Sequence, residues 1–276
     1  VAPPIRSERL VTVVEQDIAA TATRPDVVPA LATRGLNKSF GSLVVAGDIE
    51  FTLPQGERYA LIGPNGAGKT TLINLMTGML RPDRGTILLG GGDITSLKPQ
   101  ERVQRGLART FQINSLFPHL TPLESVVLAI CERQGDAGTW WRGLPAYRDA
   151  VDEAQALLAS LRLGAVCNRP TVELAYGQQR LLEIAIALAT KPKVLLLDEP
   201  AAGVPKDDSG ELFQVIAALP RDISILFIEH DMNVVFRFAS RIIVMVGGRI
   251  LMEGTPAEIA ADARVREVYL GKGHRG

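Results

Sequence analysis

The 276-residue chain is poor in cysteine, with two, and in aromatic side chains, at 5%. Cys131 and Cys167 stand far apart and form no CxxC pair. That argues against a disulfide framework and a cysteine metal site, and it fits thiols in a reducing compartment. No stretch approaches the ~18 apolar residues of a membrane span. The longest apolar runs, "VLLL" and "SILFI", are strand-sized. A charge surplus is also missing: 30 basic residues stand against 30 acidic ones. Without a basic surplus there is no electrostatic footprint for nucleic acid, and none is expected as a partner. The N-terminus lacks a basic start followed by an apolar block, so no signal peptide is expected. A soluble, cytoplasmic chain is the reading of these absences. The chain begins with Val1, which fits an alternative start, a processed product or a piece of a longer chain. What is abundant is apolar residues, at 46%, enough for a sizeable core.

Residues 1–30 are rich in Pro, Ala, Thr and Val without a clear period and read as a flexible arm or linker. From Leu31 to Glu57 apolar and polar residues alternate and break at Gly and Pro, which predicts two or three antiparallel strands. "RYALIG" reads as a buried strand entering a Gly-rich loop. Thr121-Pro122-Leu123-Glu124 is a capping box with proline at the first helical position, so a helix starts there. Residues 122–190 read as mostly helical, with a polar loop near 134–145 that carries Trp140 and Trp141. After Pro192 come three strands, "KVLLLDEP", "ISILFIEH" and "RIIVMVGG", with helical segments between them. Strands alternating with helices predict an α/β fold with a mostly parallel sheet. Thr255-Pro256-Ala257-Glu258 is a second capping box and opens a C-terminal helix. No internal repeat is visible.

"GPNGAGKT", Gly63 to Thr70, matches G-x-x-x-x-G-K-[ST] between an apolar strand and an apolar helix. Gly63, Pro64, Asn65, Gly66, Ala67 and Gly68 form the loop whose backbone amides turn toward phosphates. The following helix, entered through Thr70 and Thr71, points its positive end at them. Lys69 adds a point charge near the β- and γ-phosphates, and the Thr70 hydroxyl is a ligand for Mg²⁺. "VLLLDEP" then ends a buried strand in two carboxylates. In a plain core that pair is costly, but at the C-terminal edge of a parallel sheet it faces ligand. Asp198 suits a Mg²⁺-bound water, and Glu199 suits a base that polarises the attacking water, worth ~10²–10⁴-fold in rate.

These motifs, with "LAYGQQR" between them, resemble the nucleotide-binding subunits of ABC transporters over residues 31–272, leaving a tail at 273–276. The resemblance implies a P-loop NTPase (RecA-like) core with an antiparallel β subdomain and a helical subdomain inserted at about 115–180. It implies that Phe40 stacks on adenine, that Gln112 in "RTFQ" reaches Mg²⁺ and the γ-phosphate region, and that His230 in "FIEHD" contacts the γ-phosphate. Leu174, Ala175, Tyr176, Gly177 and Gln178 correspond to the signature, which in this family meets the ATP held by a second cassette. "ARTFQ", "LAYGQQRLLEIAIALA", "LLLDEPAAG", "IEHDM" and "REVYLG" resemble the subgroup serving importers of branched-chain and other hydrophobic amino acids. The function implied is MgATP hydrolysis coupled to transport. The implied partners are a second ATPase subunit, integral-membrane permease subunits and, indirectly, a periplasmic solute-binding protein, with this chain peripheral at the cytoplasmic face of the inner membrane. The helical region and the loop around Gln112 are expected to carry the membrane-subunit contact. The N-terminal arm fits a linker left from fusion to such a subunit.

Two positions depart from the family pattern. Ala175 replaces the usual signature serine, and Pro205 stands where aspartate or asparagine is common. Both act across a dimer, so the expectation is a weakened composite site rather than a lost one, in a heterodimer or else a homodimer. Backbone amides near Gly177 and a helix opening at Gln178 remain as anion donors. Alternatives are a soluble ABC ATPase without a transport role, and a regulatory subunit that binds ATP with little hydrolysis. His119 reads as a loop histidine.

Overall fold

The computed structural model describes residues 28–110, 116–135 and 147–270. The chain opens with β1 (Leu31–Phe40) and β2 (Leu43–Leu53), an antiparallel hairpin turning at Gly41. The inner half of β2 alternates buried and exposed residues, as the sequence predicts for a half-buried strand. The third antiparallel strand comes later. After β3 (Arg58–Ile62) and α1 (Lys69–Thr77), β4 (Arg84–Leu89) pairs with the other edge of β1, followed by the short β5 (Gly92–Asp93). α2 (Pro99–Gln104) and β6 (Leu107–Arg109) lead to the loop of Gln112, which lies outside the described residues. In the segment from β4 to β6 the apolar runs are too short to show a period.

α3 (Pro122–Gln134) starts at the predicted capping box: Thr121 Oγ1 accepts from the Glu124 amide, and Glu124 accepts from the Thr121 amide. It packs with α4 (Arg148–Ser160) and α5 (Tyr176–Ala189). Trp140 and Trp141 lie outside the described residues. α5 begins at Tyr176, so the expected start at Gln178 is corrected by two residues. The helix starts earlier because Ala175 already has the extended N-cap geometry, φ −58° and ψ 152°, and Gln178 Oε1 accepts from its amide at 3.1 Å. α5 continues past residue 180 and delivers the chain to β7 (Val194–Asp198). α6 (Lys206–Ala217), β8 (Ser224–Ile228), α7 (Met232–Phe238), β9 (Arg241–Val246) and β10 (Arg249–Gly254) follow. α8 (Pro256–Ala261) starts at the second predicted capping box, and α9 (Ala263–Leu270) ends the described chain.

Two sheets result. One is antiparallel, in the order β2-β1-β4-β5; the other is β10-β9-β3-β8-β7-β6, parallel except for β10. The central strands β3, β7 and β8 are apolar between their ends, in Tyr59–Ile62, Val194–Leu197 and Ile225–Ile228, because both faces of this sheet are covered. Ile62, Leu195, Leu197 and Phe227 face the core shared with the helical region. Their neighbours Leu61, Leu196, Leu226 and Ile228 face the core shared with α1 and the antiparallel sheet. Among the described residues no helix is long and apolar enough to cross a membrane. Cys131 is buried, Cys167 is half-buried, and no disulfide joins them.

Candidate functional site

The parallel strands end on one edge, and the residues singled out in the sequence gather there. β3 runs into the loop at Gly63, which is fixed by close backbone contact: a Cβ on Gly63 would lie 2.2 Å from the Met245 carbonyl oxygen. Gly68 takes the left-handed conformation, φ 98°, at the N-cap of α1. The turn between β9 and β10 braces the loop from behind, with the Gly248 amide donating to the Ala67 carbonyl at 2.9 Å. The first-turn amides of α1, including those of Thr70 and Thr71, have no intrahelical acceptor and so suit an anion. Pro64 is half-buried, whereas Asn65, Gly66 and Thr70 are exposed at the mouth of the loop.

Lys69 is buried, and its Nζ donates to the carbonyls of Gly63 at 2.7 Å and Pro64 at 3.2 Å. Burial lowers its pKa, and the carboxylates of Glu199 and Asp198 act against that shift. The cation therefore sits between the loop and the acidic pair. Asp198 ends β7 and is clamped by Arg109: Nη2 donates to Asp198 Oδ2 at 2.7 Å, while Nη1 donates to Asn74 Oδ1 on α1 at 2.7 Å. Neither Arg109, which opens "RTFQ", nor Asn74 is marked by a motif in the sequence. The available signal was a charged residue closing a short apolar strand just before Gln112.

Glu199 is a non-glycine residue in left-handed conformation, φ 50°. Such a conformation costs of order 1–3 kcal/mol and persists where neighbours over-determine it. Here its amide donates to the Ile228 carbonyl at 3.1 Å, and its own carbonyl accepts from the Ala202 amide at 2.9 Å. The result brings Glu199 Oε1 within 2.6 Å of His230 Nε2, both side chains being partly exposed. Glu229, buried and also unassigned in the sequence, accepts from the amides of Ala201 at 3.0 Å and His230 at 3.2 Å, tying the two loops together. Burial pushes the Glu229 carboxyl up, and these amides pull it back.

Phe40 stands exposed at the end of β1, with Lys38 Nζ 5.5 Å from the ring centroid. An open aromatic face of this kind suits stacking. Leu174 is buried, while Ala175 and Tyr176 are exposed at the start of α5, with Gly177 and Gln178 half-buried behind them. Pro205 is exposed at the N-cap of α6, which has no side-chain cap. His119 lies exposed in a loop.

Among the described residues no cluster of three or more His, Cys, Asp or Glu side chains forms a metal site. The donors present near the loop are a hydroxyl, Thr70, and a carboxylate, Asp198. Such hard oxygen ligands, few in number, suit Mg²⁺ shared with phosphates rather than a metal held by protein alone.

A phosphate loop on a parallel sheet, an acidic pair beside it and a signature helix define an ATPase cassette, and the chain belongs to the ABC transporter family, whose model matches residues 46–202. A second model, the branched-chain amino acid ATP-binding cassette transporter, matches residues 249–275. The chain is 40% identical over 253 residues to the high-affinity branched-chain amino acid transport ATP-binding protein LivG of Salmonella typhimurium, covering 88% of this chain and 98% of that protein. BraF of Pseudomonas aeruginosa, described in the same words, is 36% identical over the same shares. Among solved structures, the ADP conformation of MJ1267, an ATP-binding cassette of an ABC transporter, superposes with TM-score 0.79 and 32% identity, over 88% of this chain and 99% of that one.

Proposed function

We propose that this chain binds MgATP in the loop from Gly63 to Thr71 and hydrolyses it to energise an importer of branched-chain or related hydrophobic amino acids. The observation that carries the chemistry is the 2.6 Å contact between Glu199 and His230 beside the Lys69 loop. In this reading Glu199 takes a proton from the attacking water as the water oxygen bonds the γ-phosphorus and the bond to the β-phosphate oxygen breaks. His230 holds the Glu199 carboxylate in place and reaches toward the γ-phosphate. Lys69 and the α1 amides stabilise charge on the phosphates. Thr70 and Asp198, with Gln112, would hold Mg²⁺, which would neutralise phosphate charge. Phe40 stacks on adenine.

The amino acid class rests on the relatives, LivG and BraF, and on the matched C-terminal segment. Its partners in this reading are permease subunits in the inner membrane, which dock on the helical region, a second cassette, and a solute-binding protein that acts through the permease. The chain sits at the cytoplasmic face. Because Ala175 serves the ATP of the opposite cassette, the second cassette is a different chain with a complete signature, and the composite site built on Ala175 is the slower of the two.

Steady-state MgATP hydrolysis by the purified chain, with Glu199→Gln as the blank, tests the chemistry and the pairing together. Binding with little turnover alone, and turnover on adding a full-signature cassette, is the expected result. Fast Glu199-dependent turnover by the chain alone refutes the need for a different partner. Turnover that Glu199→Gln leaves intact refutes the assigned base.

A further inference from the structure

The end of β1 that carries Phe40 is held by more than strand pairing. β4 pairs with β1 from Leu31↔Leu89 as far as Asn37↔Arg84. β1 runs on to Phe40, so Lys38, Ser39 and Phe40 extend past the last β4 pair. Asp83, the residue before β4, carries the ladder further. Its amide donates to the Asn37 carbonyl at 2.8 Å. Its carboxylate then does the work of a next strand carbonyl, with Oδ2 accepting from the Ser39 amide at 2.7 Å. The other oxygen, Oδ1, accepts from Lys38 Nζ at 2.7 Å. The Lys38 bond first, and the Ser39 amide second, hold the Asp83 carboxyl below its ordinary range.

β1 is irregular where Asp83 grips it. Its register against β2 shifts between Thr33 and Leu36, between Leu36 and Lys38, and again between Lys38 and Ser39. Such shifts bend a strand and interrupt its ladder. The last of them falls between the two residues that Asp83 holds. The ammonium in that grip is also the one that lies over Phe40, 5.5 Å from the ring centroid. A cation thus covers one face of the ring, while Phe40 as a whole stays 52% exposed. The open face is the one left for a base.

We propose that Asp83 is a positioning residue for the adenine of the bound nucleotide: it fixes the backbone at Ser39 and holds the Lys38 ammonium behind Phe40, so that the open face of the ring is set before the base arrives. This rests on the reading that Phe40 stacks on adenine. Ordering a side chain during binding lowers affinity, and a ring ordered beforehand avoids that loss. The Lys38–Asp83 pair is partly exposed, and such pairs add little to folding stability, so its effect is read in nucleotide affinity. Among the described residues, the hydrogen bonds of Asp83 all go to Asn37, Lys38 and Ser39, and none goes to the phosphate loop. Its influence is therefore confined to the nucleoside half of the ligand.

The test measures binding of MgADP to the whole chain by calorimetry, and of magnesium pyrophosphate by displacement of ADP. The two probes differ by the adenosine. Phe40→Ala is expected to weaken ADP about tenfold, the order of one base–aromatic stack, and to leave pyrophosphate unchanged. Asp83→Ala is expected to weaken ADP about threefold, the order of one side chain left to be ordered, again with pyrophosphate unchanged. Asp83→Asn keeps an acceptor for the Ser39 amide but loses the charge facing Lys38, so it falls between Asp83→Ala and wild type. Raising the salt to 1 M screens the pair and brings wild type toward Asp83→Asn. Because Asp83 acts through Phe40, the double variant is expected to bind ADP no more weakly than Phe40→Ala alone. Wild-type ADP affinity in Asp83→Ala overturns the proposal, and so does a fully additive loss in the double variant. Equal weakening of ADP and pyrophosphate in Asp83→Ala also overturns it, since the phosphate loop itself has then been disturbed. If Phe40→Ala leaves ADP affinity unchanged, the stacking reading falls and the proposal with it, an outcome distinct from failure at Asp83 alone.

Discussion

Replacing Ala175 with serine separates two consequences of one missing hydroxyl. Ala175 is the N-cap of α5, with extended φ and ψ and no side-chain cap. Half of a capping box is already in place, since Gln178 Oε1 accepts from the Ala175 amide at 3.1 Å. A serine hydroxyl there accepts from the Gln178 amide and completes the box, worth ~1 kcal/mol. For a domain of this size that raises the melting temperature by about 2–4 °C. The residue is exposed, so the gain comes without repacking. A hydroxyl has two acceptor sites and one donor, so the same group still donates its hydrogen across the dimer to a phosphate. A hydrogen bond to a charged group is worth ~1.5–3 kcal/mol. If it is made in the transition state, turnover at the composite site rises about ten- to hundredfold.

The assays are a thermal melt of the chain alone and steady-state ATPase of the assembled pair. The expected result is a higher melting temperature in the monomer and faster turnover in the pair. A stabilised chain with unchanged turnover would sink the argument that Ala175 slows a composite site, while leaving the cap intact. Unchanged stability would show that α5 is already fully capped by Gln178 and its surroundings.

Two further outcomes follow from the ion pairs. Arg109→Ala strips the donor from Asp198 and Asn74, which costs ~1–3 kcal/mol in a thermal or urea melt and raises the Mg²⁺ concentration needed for half-maximal ATPase; an unchanged Mg²⁺ titration refutes a positioning role. The Glu153 carboxyl is held down to about 2 by Arg133, with Lys191 assisting. A lowered folded pKa contributes stability that is complete above the ordinary glutamate range and lost as pH falls through about 2. Because the pair is partly exposed, Glu153→Gln costs ~1 kcal/mol at pH 7, and the gap to wild type in urea melts narrows below pH 4.5. A gap that stays constant down to pH 3 refutes the assignment.

The parts of this molecule legible in its sequence are those where local chemistry is demanding. Gly63 and Gly68 sit where a Cβ meets backbone oxygen, so only glycine fits and the loop announces itself. Thr121-Glu124 and Thr255-Glu258 satisfy their own helix ends, and both helices begin where predicted. The strands β3, β7 and β8 read as short apolar runs closed by a polar residue at one end, because each lies between two cores. β4 and α2 were illegible for the opposite reason: β4 is half-exposed, α2 is six residues long, and neither has room for a period. Arg109 and Glu229 were missed because each matters through a partner 28 to 89 residues away in the chain, which no local pattern encodes.

That division bears on the two departures, Ala175 and Pro205. Both occupy helix N-caps, and in both the side-chain cap is absent while the helix still forms. The positive end of a helix is made by backbone amides, which neither substitution removes. In the proposed reading, what is missing at each is one side-chain contact to the facing cassette. Inside the chain, Lys69, Asp198, Glu199 and His230 are each held by at least one specific hydrogen bond. The left-handed backbone at Glu199 is held by hydrogen bonds to Ile228 and from Ala202, and it sets the carboxylate against His230. On the reading proposed above, a site ordered inside the chain and two outward-facing caps without side-chain donors together fit a chain that hydrolyses its own nucleotide and relies on another chain for the facing half.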